Sequence, residues 1–212
     1  MKRPLYYLIS ALVVTSCASN PYRTSEKSYK KQLNVFKENL SKKESVPLQN
    51  GKNTEWISTV NFNLRKPNFI IIHHTAQDSV QQTIKTFTLV KPQVSAHYVI
   101  GDDGRVIQML NDYLRAWHGG NATWGKNTDI NSASIGIELD NNGTEPFSQL
   151  QINSLLSLLT KLKKDYNIPA QNIIAHSDIA PTRKKDPSAL FPWQVLADKE
   201  FGIWPDLVLE TA

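Results

Sequence analysis

The sequence predicts a single α/β domain with a central mixed β-sheet flanked by helices. Short β-branched runs such as "NFIII" (residues 68–72) alternate with amphipathic stretches, which is the pattern of layered α/β domains. The chain of 212 residues is long enough for one hydrophobic core with appendages. Five Trp, seven Tyr and seven Phe supply large apolar side chains for that core.

The predicted elements begin near Thr54 and follow in order. "NFIII" is a buried strand that leads directly to two histidines, and "SVQQTIKTF" (residues 79–87) has helical apolar spacing. "SAHYVIGDDGRVIQML" (residues 95–110) indicates two strands joined at an Asp-Asp-Gly turn. "SASIGIEL" (residues 132–139) is a further strand.

The second half of the domain contains the most regular helix. "SQLQINSLLSLLTKLKKDY" (residues 148–166) opens with the spacing of a capping box and places leucines on one face. "NIIAH" (residues 172–176) is a short apolar strand that ends in a histidine, and Pro192 is expected to start a last helix.

The positive charge of the chain lies mainly in an N-terminal arm. The formal net charge is +5, and residues 19–52 hold eight Lys or Arg against three Glu. Residues 53–212 hold 14 cations against 16 anions, which gives a net charge of −2. This distribution speaks against a nucleic-acid partner and fits an arm that lies near an anionic membrane surface.

The first residues have the features of a lipoprotein signal peptide. Lys2 and Arg3 precede an apolar run from Leu5 to Val14, which is too short to span a bilayer. The run ends in "VTSC", which resembles the bacterial lipobox, and Cys17 is the only cysteine. We therefore expect residues 1–16 to be a signal peptide, residues 17–52 a lipidated cysteine and basic tether, and residues 53–212 the folded domain. An ordinary secretory signal cut after Ala18 is the alternative.

The tether contains one helical signal. Tyr29, Leu33, Phe36 and Leu40 recur at helical spacing, so this stretch could dock on the domain or on lipid, or remain a solvated linker. The residues after the cysteine lack the Asp of inner-membrane lipoproteins, so we expect an outer-membrane anchor facing the periplasm.

Three predicted strands end in titratable residues. His73 follows "FIII", Glu138 lies in "IGIEL" and His176 follows "NIIA". Such groups can converge at one edge of a sheet, and two histidines with an aspartate from a following loop would suffice for a catalytic zinc site.

The residues resemble the zinc-dependent N-acetylmuramoyl-L-alanine amidases of type 2, which are related to phage lysozyme-like amidases and peptidoglycan recognition proteins. The matching blocks are "IIHHTA", "VSAHYVI", "AWHGG", "SIGIEL" and "HSDIAPTRKKDP", in that order between about residues 69 and 206. The last block is most similar to the lipoprotein and anhydromuropeptide amidases, because Lys184 and Asp186 stand eight and ten residues after His176.

The resemblance implies a role for each site residue. His73, His176 and Asp186 would bind one Zn²⁺ per chain, Glu138 would be the general base, and Lys184 would stabilise the oxyanion. The substrate would be the amide between N-acetylmuramic acid, including its 1,6-anhydro form, and the L-alanine of peptidoglycan or muropeptides. His118, beside Trp117 and two glycines, is a candidate for binding substrate in the groove.

Several alternatives stay open from the sequence. His74 could replace His73 as a ligand, although adjacent strand residues point to opposite faces. Asp178 could replace Asp186 if the strand continued past His176; otherwise it caps a loop. Tyrosine precedes the histidine of the "SAHY" block in phage-like members, whereas Ala96 stands there in this chain, so Tyr98 is expected to serve packing.

Two other classes of protein compete with the amidase. A peptidoglycan-binding lipoprotein without catalysis would not need Glu138, Lys184 and Asp186 together. A lipoprotein with a structural zinc would need a fourth protein ligand, and none is evident in the sequence.

Overall fold

A computed structural model describes residues 20–42, 54, 57–58 and 64–204. The chain divides into two compact units, Met1–Trp56 and Ile57–Ala212. The expected signal peptide, its cleavage site and Cys17 lie outside the described residues, so they remain predictions.

In the N-terminal unit, residues 20–42 and 54 are described, and they contain helix α1 (Arg23–Ser41), which includes the apolar stripe expected in the tether. None of its residues is buried; Phe36 is 42% exposed and Leu40 is 79% exposed. In the described part of the chain, no helix combines the length and apolar character needed to cross a membrane.

The second unit is built on a mixed sheet of five strands, as predicted. The strands are β1 (Phe69–His74), β2 (Tyr98–Ile100), β3 (Val106–Gln108), β4 (Ser134–Leu139) and β5 (Ile173–Ala175). Their spatial order is β3-β2-β4-β1-β5, and only the β2–β3 pair is antiparallel. The central strands β1 and β4 are therefore paired on both sides, which agrees with their continuous apolar sequences.

Within residues 64–204, five helices accompany the sheet. They are α2 (Val80–Phe87), α3 (Ile130–Ala133), α4 (Gln149–Tyr166), α5 (His176–Ile179) and α6 (Trp193–Ala197), with a 3₁₀ turn at Ala170–Asn172. The hydroxyl of Ser79 caps α2 and the hydroxyl of Ser148 caps α4, each by accepting a backbone N–H bond.

The predicted capping box of α4 is only half formed. Ser148 Oγ accepts from the backbone N–H of Gln151 at 3.1 Å, as expected. The side chain of Gln151 does not return to the cap; its Nε2 donates to the carbonyls of Ile100 and Asp140 at 2.9 and 3.0 Å. Gln151 thus ties α4 to the carboxyl ends of β2 and β4, where the Ile100 carbonyl also accepts from the backbone N–H of Asp140 at 2.9 Å.

The two faces of the sheet bury different sets of side chains. One face packs against α4 through aliphatic residues that include Ile70, Ile72, Ile135, Ile137, Leu139, Leu155, Leu159 and Leu162. The other face carries a smaller cluster formed by Ile71, Ala122, Ile130, Ile174, Ile179 and Ala180. Side chains alternate along a strand, so His73 shares the second face with Ile71.

Two predicted boundaries differ in the structure. Strand β1 does not stop at Ile72 but continues through His73 and His74, because both residues pair with β4. His176 opens helix α5 instead of extending β5, so the chain turns back toward the sheet immediately after the histidine.

Candidate metal centre

His73 and His176 present the same ring atom to one point. Parallel strands β1 and β5 lie side by side, so the end of β1 and the first residue after β5 meet at the carboxyl edge of the sheet. The Nδ1 atoms of the two histidines are 2.9 Å apart, and both residues are at most 3% exposed. Burial lowers the pKa of His73 to about 4, against the hydrogen bond to Asp186 that raises it. A neutral imidazole is the form that binds a metal.

Asp186 completes a three-residue cluster from the loop after α5. Its Oδ2 lies 3.1 Å from His73 Nδ1 and 2.8 Å from His176 Nδ1, and its backbone carbonyl accepts from the N–H of Ser177 at 2.9 Å. Burial alone would raise the pKa of Asp186, but hydrogen bonds and charge from His176 and His73 outweigh burial and hold the pKa well below its usual range. The carboxylate is therefore ionised in the cluster.

The three donor atoms fit a zinc ion. Tetrahedral zinc with bonds of about 2.0–2.1 Å separates its ligand atoms by roughly 3.3 Å. The observed separations of 2.8 to 3.1 Å would need to open by only a few tenths of an ångström. Among the described residues, His73, His176 and Asp186 form the one group of three or more candidate ligands that could hold a metal ion. Two imidazoles and one carboxylate leave a position for water, as in catalytic zinc sites.

Glu138 lies directly opposite His73 on the neighbouring strand. The register pairs His73 with Glu138 in the parallel β1–β4 ladder, so both side chains stand on the same face of the sheet. Glu138 is 9% exposed, and burial raises its pKa to about 8, with the Asp186 charge adding to burial and Lys184 opposing it. A cation held by the neighbouring ligands would lower that pKa in the same way as Lys184 does.

Lys184 stands two residues before Asp186 in the same loop. Its backbone N–H donates to the carbonyl of Ala180 at 2.9 Å, which fixes the turn that follows α5. Its side chain is half-buried, and its charge contributes to the pKa values of His73 and Glu138. The structure thus brings a cation, a carboxylate and three potential ligands to one side of the sheet.

His118 occupies a different place from the one expected. It is 8% exposed and lies behind His73, with its Nδ1 3.0 Å from His73 Nε2 and its Nε2 3.2 Å from Ser134 Oγ. Both ring nitrogens are therefore engaged inside the protein, so the ring does not line an open groove. Burial is the main reason that the pKa of His118 lies well below its usual value.

The rival ligands make other contacts. His74 Nδ1 accepts from the backbone N–H of Ser188 at 3.1 Å, on the side of β1 away from His73. Asp178 Oδ2 accepts from the backbone N–H of Ala175 at 2.7 Å at the start of α5, which is the capping role that the sequence left open. Tyr98 is buried, and its hydroxyl donates to Asp112 at 2.9 Å, so it serves packing.

Several residues that contact the site histidines were not identified from the sequence. The carbonyl of Gly119 lies 3.2 Å from His176 Nε2, and Asn131 Oδ1 accepts from the N–H groups of His118 and Gly119 at 3.1 and 2.8 Å. Ser134, the first residue of β4, supports His118. The block "AWHGG" pointed to this segment, but a backbone carbonyl cannot be identified as a partner before the fold is known.

Comparisons with known proteins show the family of this chain. The family model described as N-acetylmuramoyl-L-alanine amidase matches residues 63–189. The N-acetylmuramoyl-L-alanine amidase AmiD of Escherichia coli (strain K12) is 39% identical over 153 residues, which cover 65% of this chain and 54% of that protein. The 1,6-anhydro-N-acetylmuramyl-L-alanine amidase AmpD of Haemophilus influenzae is 39% identical over 103 residues, which cover 48% of this chain and 56% of that protein.

A solved structure shares the fold. It is the complex of AmiD from Escherichia coli with the substrate anhydro-N-acetylmuramic acid-L-Ala-D-gamma-Glu-L-Lys. The match has a TM-score of 0.63 and 34% identity, and covers 75% of this chain and 67% of that chain. This chain spans about half the length of the curated relatives named above.

Proposed function

Because this chain belongs to the N-acetylmuramoyl-L-alanine amidase family, we propose that it hydrolyses the amide between N-acetylmuramic acid and L-alanine of the peptidoglycan stem peptide. The substrates would be peptidoglycan or muropeptides, including 1,6-anhydro forms, in cell-wall turnover or remodelling. One Zn²⁺ per chain would be the cofactor. The observation that carries the proposal is the buried convergence of His73 Nδ1, His176 Nδ1 and Asp186 Oδ2 beside Glu138.

The residues have complementary tasks in such a reaction. Zinc held by His73, His176 and Asp186 would polarise the amide carbonyl and make water more acidic. Glu138, on the same face as His73, would take a proton from the attacking water and return it to the amine of L-alanine as the C–N bond breaks. Lys184 would oppose the negative charge that develops on the carbonyl oxygen.

A peptidoglycan-binding lipoprotein without catalysis is the competing candidate. Such a protein would need a surface for muropeptides but no general base. The buried position of Glu138 opposite His73 favours the enzyme, because placing an unpaired carboxylate in a buried site is costly and is typical of catalytic groups.

Product analysis tests the proposed activity. Zinc-loaded protein incubated with an anhydromuropeptide or with peptidoglycan is expected to release a free stem peptide that begins with L-alanine, together with the muramyl sugar. Mass spectrometry identifies both products. If the protein bound muropeptides but released neither product, the binding-module alternative would replace the amidase.

We propose that the protein is lipid-anchored to the outer membrane and faces the periplasm. The support is the "VTSC" sequence at Cys17 and the basic arm, whose helix α1 carries an apolar stripe. Cys17→Ala is expected to move the protein from the membrane fraction to the soluble envelope fraction, since stable anchoring requires acyl chains. Fractionation and immunoblotting measure the change. Membrane retention equal to that of the unaltered protein would contradict lipidation.

A further inference from the structure

The two histidines of the metal centre form hydrogen bonds with one short segment of chain. His118 Nδ1 lies 3.0 Å from His73 Nε2, and the carbonyl of the next residue, Gly119, lies 3.2 Å from His176 Nε2. The segment comes from the loop between β3 and α3, so it belongs to neither strand that carries the histidines. Both contacts reach the ring nitrogen that faces away from the cluster.

The direction of the hydrogen bonds follows from Ser134. Its hydroxyl donates to the carbonyl of Ile130 at 2.6 Å, so its oxygen is left to accept from His118 Nε2 at 3.2 Å. When the proton of the neutral His118 ring is on Nε2, its Nδ1 is a hydrogen-bond acceptor. This Nδ1 accepts a hydrogen bond from the Nε2–H of His73. In the form that binds a metal, His73 Nδ1 is then unprotonated and points its lone pair at the position between the three ligands.

The tautomer of His176 is set by the Gly119 carbonyl. A carbonyl oxygen can only accept, so the contact with Gly119 requires the proton of His176 on Nε2 and leaves Nδ1 free as a ligand. The Gly119 carbonyl is held in turn by Arg183 Nη2, which donates to it at 2.9 Å. Asn131 Oδ1 accepts from the N–H groups of both His118 and Gly119, so the two residues are fixed together.

The sheet leaves room for this arrangement at one position. A Cβ on Gly136 would lie 2.5 Å from Cγ of His118, so any side chain at this point of β4 would displace the imidazole. Gly136 is opposite Ile71 in the β1–β4 ladder, two residues before the pair formed by His73 and Glu138. The absence of a side chain on a central strand thus creates the space that His118 fills beneath His73.

We propose that His118 and the Gly119 carbonyl form one positioning element, which sets the tautomer and orientation of both zinc-binding histidines. Ser134 in turn sets the tautomer of His118. His118 would act through His73, as a positioning residue that touches neither metal nor substrate. Hydrogen-bond partners of this kind raise the affinity of a metal site because they fix the ligand ring and increase its basicity. The inference rests on the proposed zinc site but not on amidase activity.

Zinc affinity of the full-length chain in detergent, measured by competition with a chelator, tests the proposal. His118→Leu keeps a similar volume but removes the acceptor for His73, so affinity is expected to fall by about 10- to 100-fold. His118→Asn places an amide oxygen near the position of Nδ1 and is expected to recover at least a third of the lost affinity on a logarithmic scale. Ser134→Ala removes the oxygen that holds the proton of His118 on Nε2, and this variant is expected to bind zinc several-fold more weakly.

Ser154→Ala is the matched control. Ser154 Oγ donates to the carbonyl of Gly104 at 2.6 Å, the same kind of bond as that of Ser134, but on the α4 face of the domain. This variant is expected to bind zinc like the unaltered chain. Chemical unfolding of each metal-free variant separates loss of fold from loss of affinity, since a purely structural role would lower stability without rescue by Asn.

Two results would overturn the inference in distinguishable ways. If His118→Leu and Ser134→Ala bound zinc as tightly as the unaltered chain, the positioning role would be refuted while the zinc site remained. If the unaltered chain bound no zinc, the proposed function would fail together with this inference. An Asn variant as weak as the Leu variant would also count against the acceptor role.

Discussion

Glu138→Gln is expected to slow hydrolysis by about 10²-fold or more while zinc and muropeptide still bind, because a general base commonly contributes that factor. Glutamine keeps the shape of the side chain but cannot take a proton from water. Glu138 faces the same side of the sheet as His73 without belonging to the three-atom cluster, so its loss removes proton transfer and leaves the ligands in place.

The measurement compares kcat with zinc content and with muropeptide affinity. Glu145→Gln is a suitable control, since Glu145 is an exposed carboxylate in the loop after β4. Its kcat is expected to match that of the unaltered chain. A Glu138→Gln enzyme with undiminished kcat would remove Glu138 from the mechanism, whereas loss of zinc from this variant would assign it to the metal site.

Lys184→Ala extends the same test to the oxyanion. Removal of one oxyanion donor costs about 3 kcal/mol of transition-state stabilisation, or roughly 10²-fold in kcat. Lys185→Ala is the neighbouring control, because Lys185 is exposed and adjacent in the same loop. The proposed role requires the Lys184 variant to lose far more activity than the Lys185 variant, with zinc content equal in both.

Asp186→Ala is expected to abolish tight zinc binding and with it the activity. The carboxylate is the only anion among the three potential ligands, and it lies within 3.1 Å of both imidazole Nδ1 atoms. Its removal leaves two neutral histidines, which cannot hold zinc in a three-ligand catalytic site. Metal content after gel filtration and activity with added zinc give the result.

Asp178→Ala is the matched variant from helix α5, which precedes the loop of Asp186. Asp178 accepts from the Ala175 N–H at the start of α5, so its loss is expected to cost about 1 kcal/mol of stability, as for other helix caps, and to leave zinc in place. If Asp178→Ala lost the metal and Asp186→Ala kept it, the ligand assignment would be wrong.

The sequence predicted the strands of the site well because their signals are local. The β-branched runs that became β1, β4 and β5 are recognisable without knowledge of their neighbours, and each ends at or next to a titratable residue of the candidate site. The third ligand was different. Spacing alone could not decide between Asp178 and Asp186 as the third ligand, because the turn at His176 that moves Asp178 away depends on tertiary packing. The family resemblance favoured Asp186.

The role of His118 could not be predicted from the residues next to it in the sequence. Its partner His73 is 45 residues away in sequence, and the space it occupies depends on Gly136 in a third segment. Beside Trp117, which is 47% exposed, a histidine suggested a groove. The half-formed capping box at Gln151 has the same cause, since the long-range carbonyls that accept from its Nε2 hold the side chain away from the cap.

The apolar layer under α4 and the candidate site lie on opposite faces of the sheet, which makes this domain a favourable scaffold for engineering. The layer between the sheet and α4 is mainly aliphatic, with Tyr98, Phe191 and Phe201 among its members, and apolar layers tolerate volume-conserving exchange, whereas His73 and Glu138 project from the other face. Thermostability could therefore be selected through the α4 layer without altering the groups that set chemistry and metal choice. Conversely, a library confined to the opposite face could vary substrate range while the aliphatic layer preserved solubility and expression.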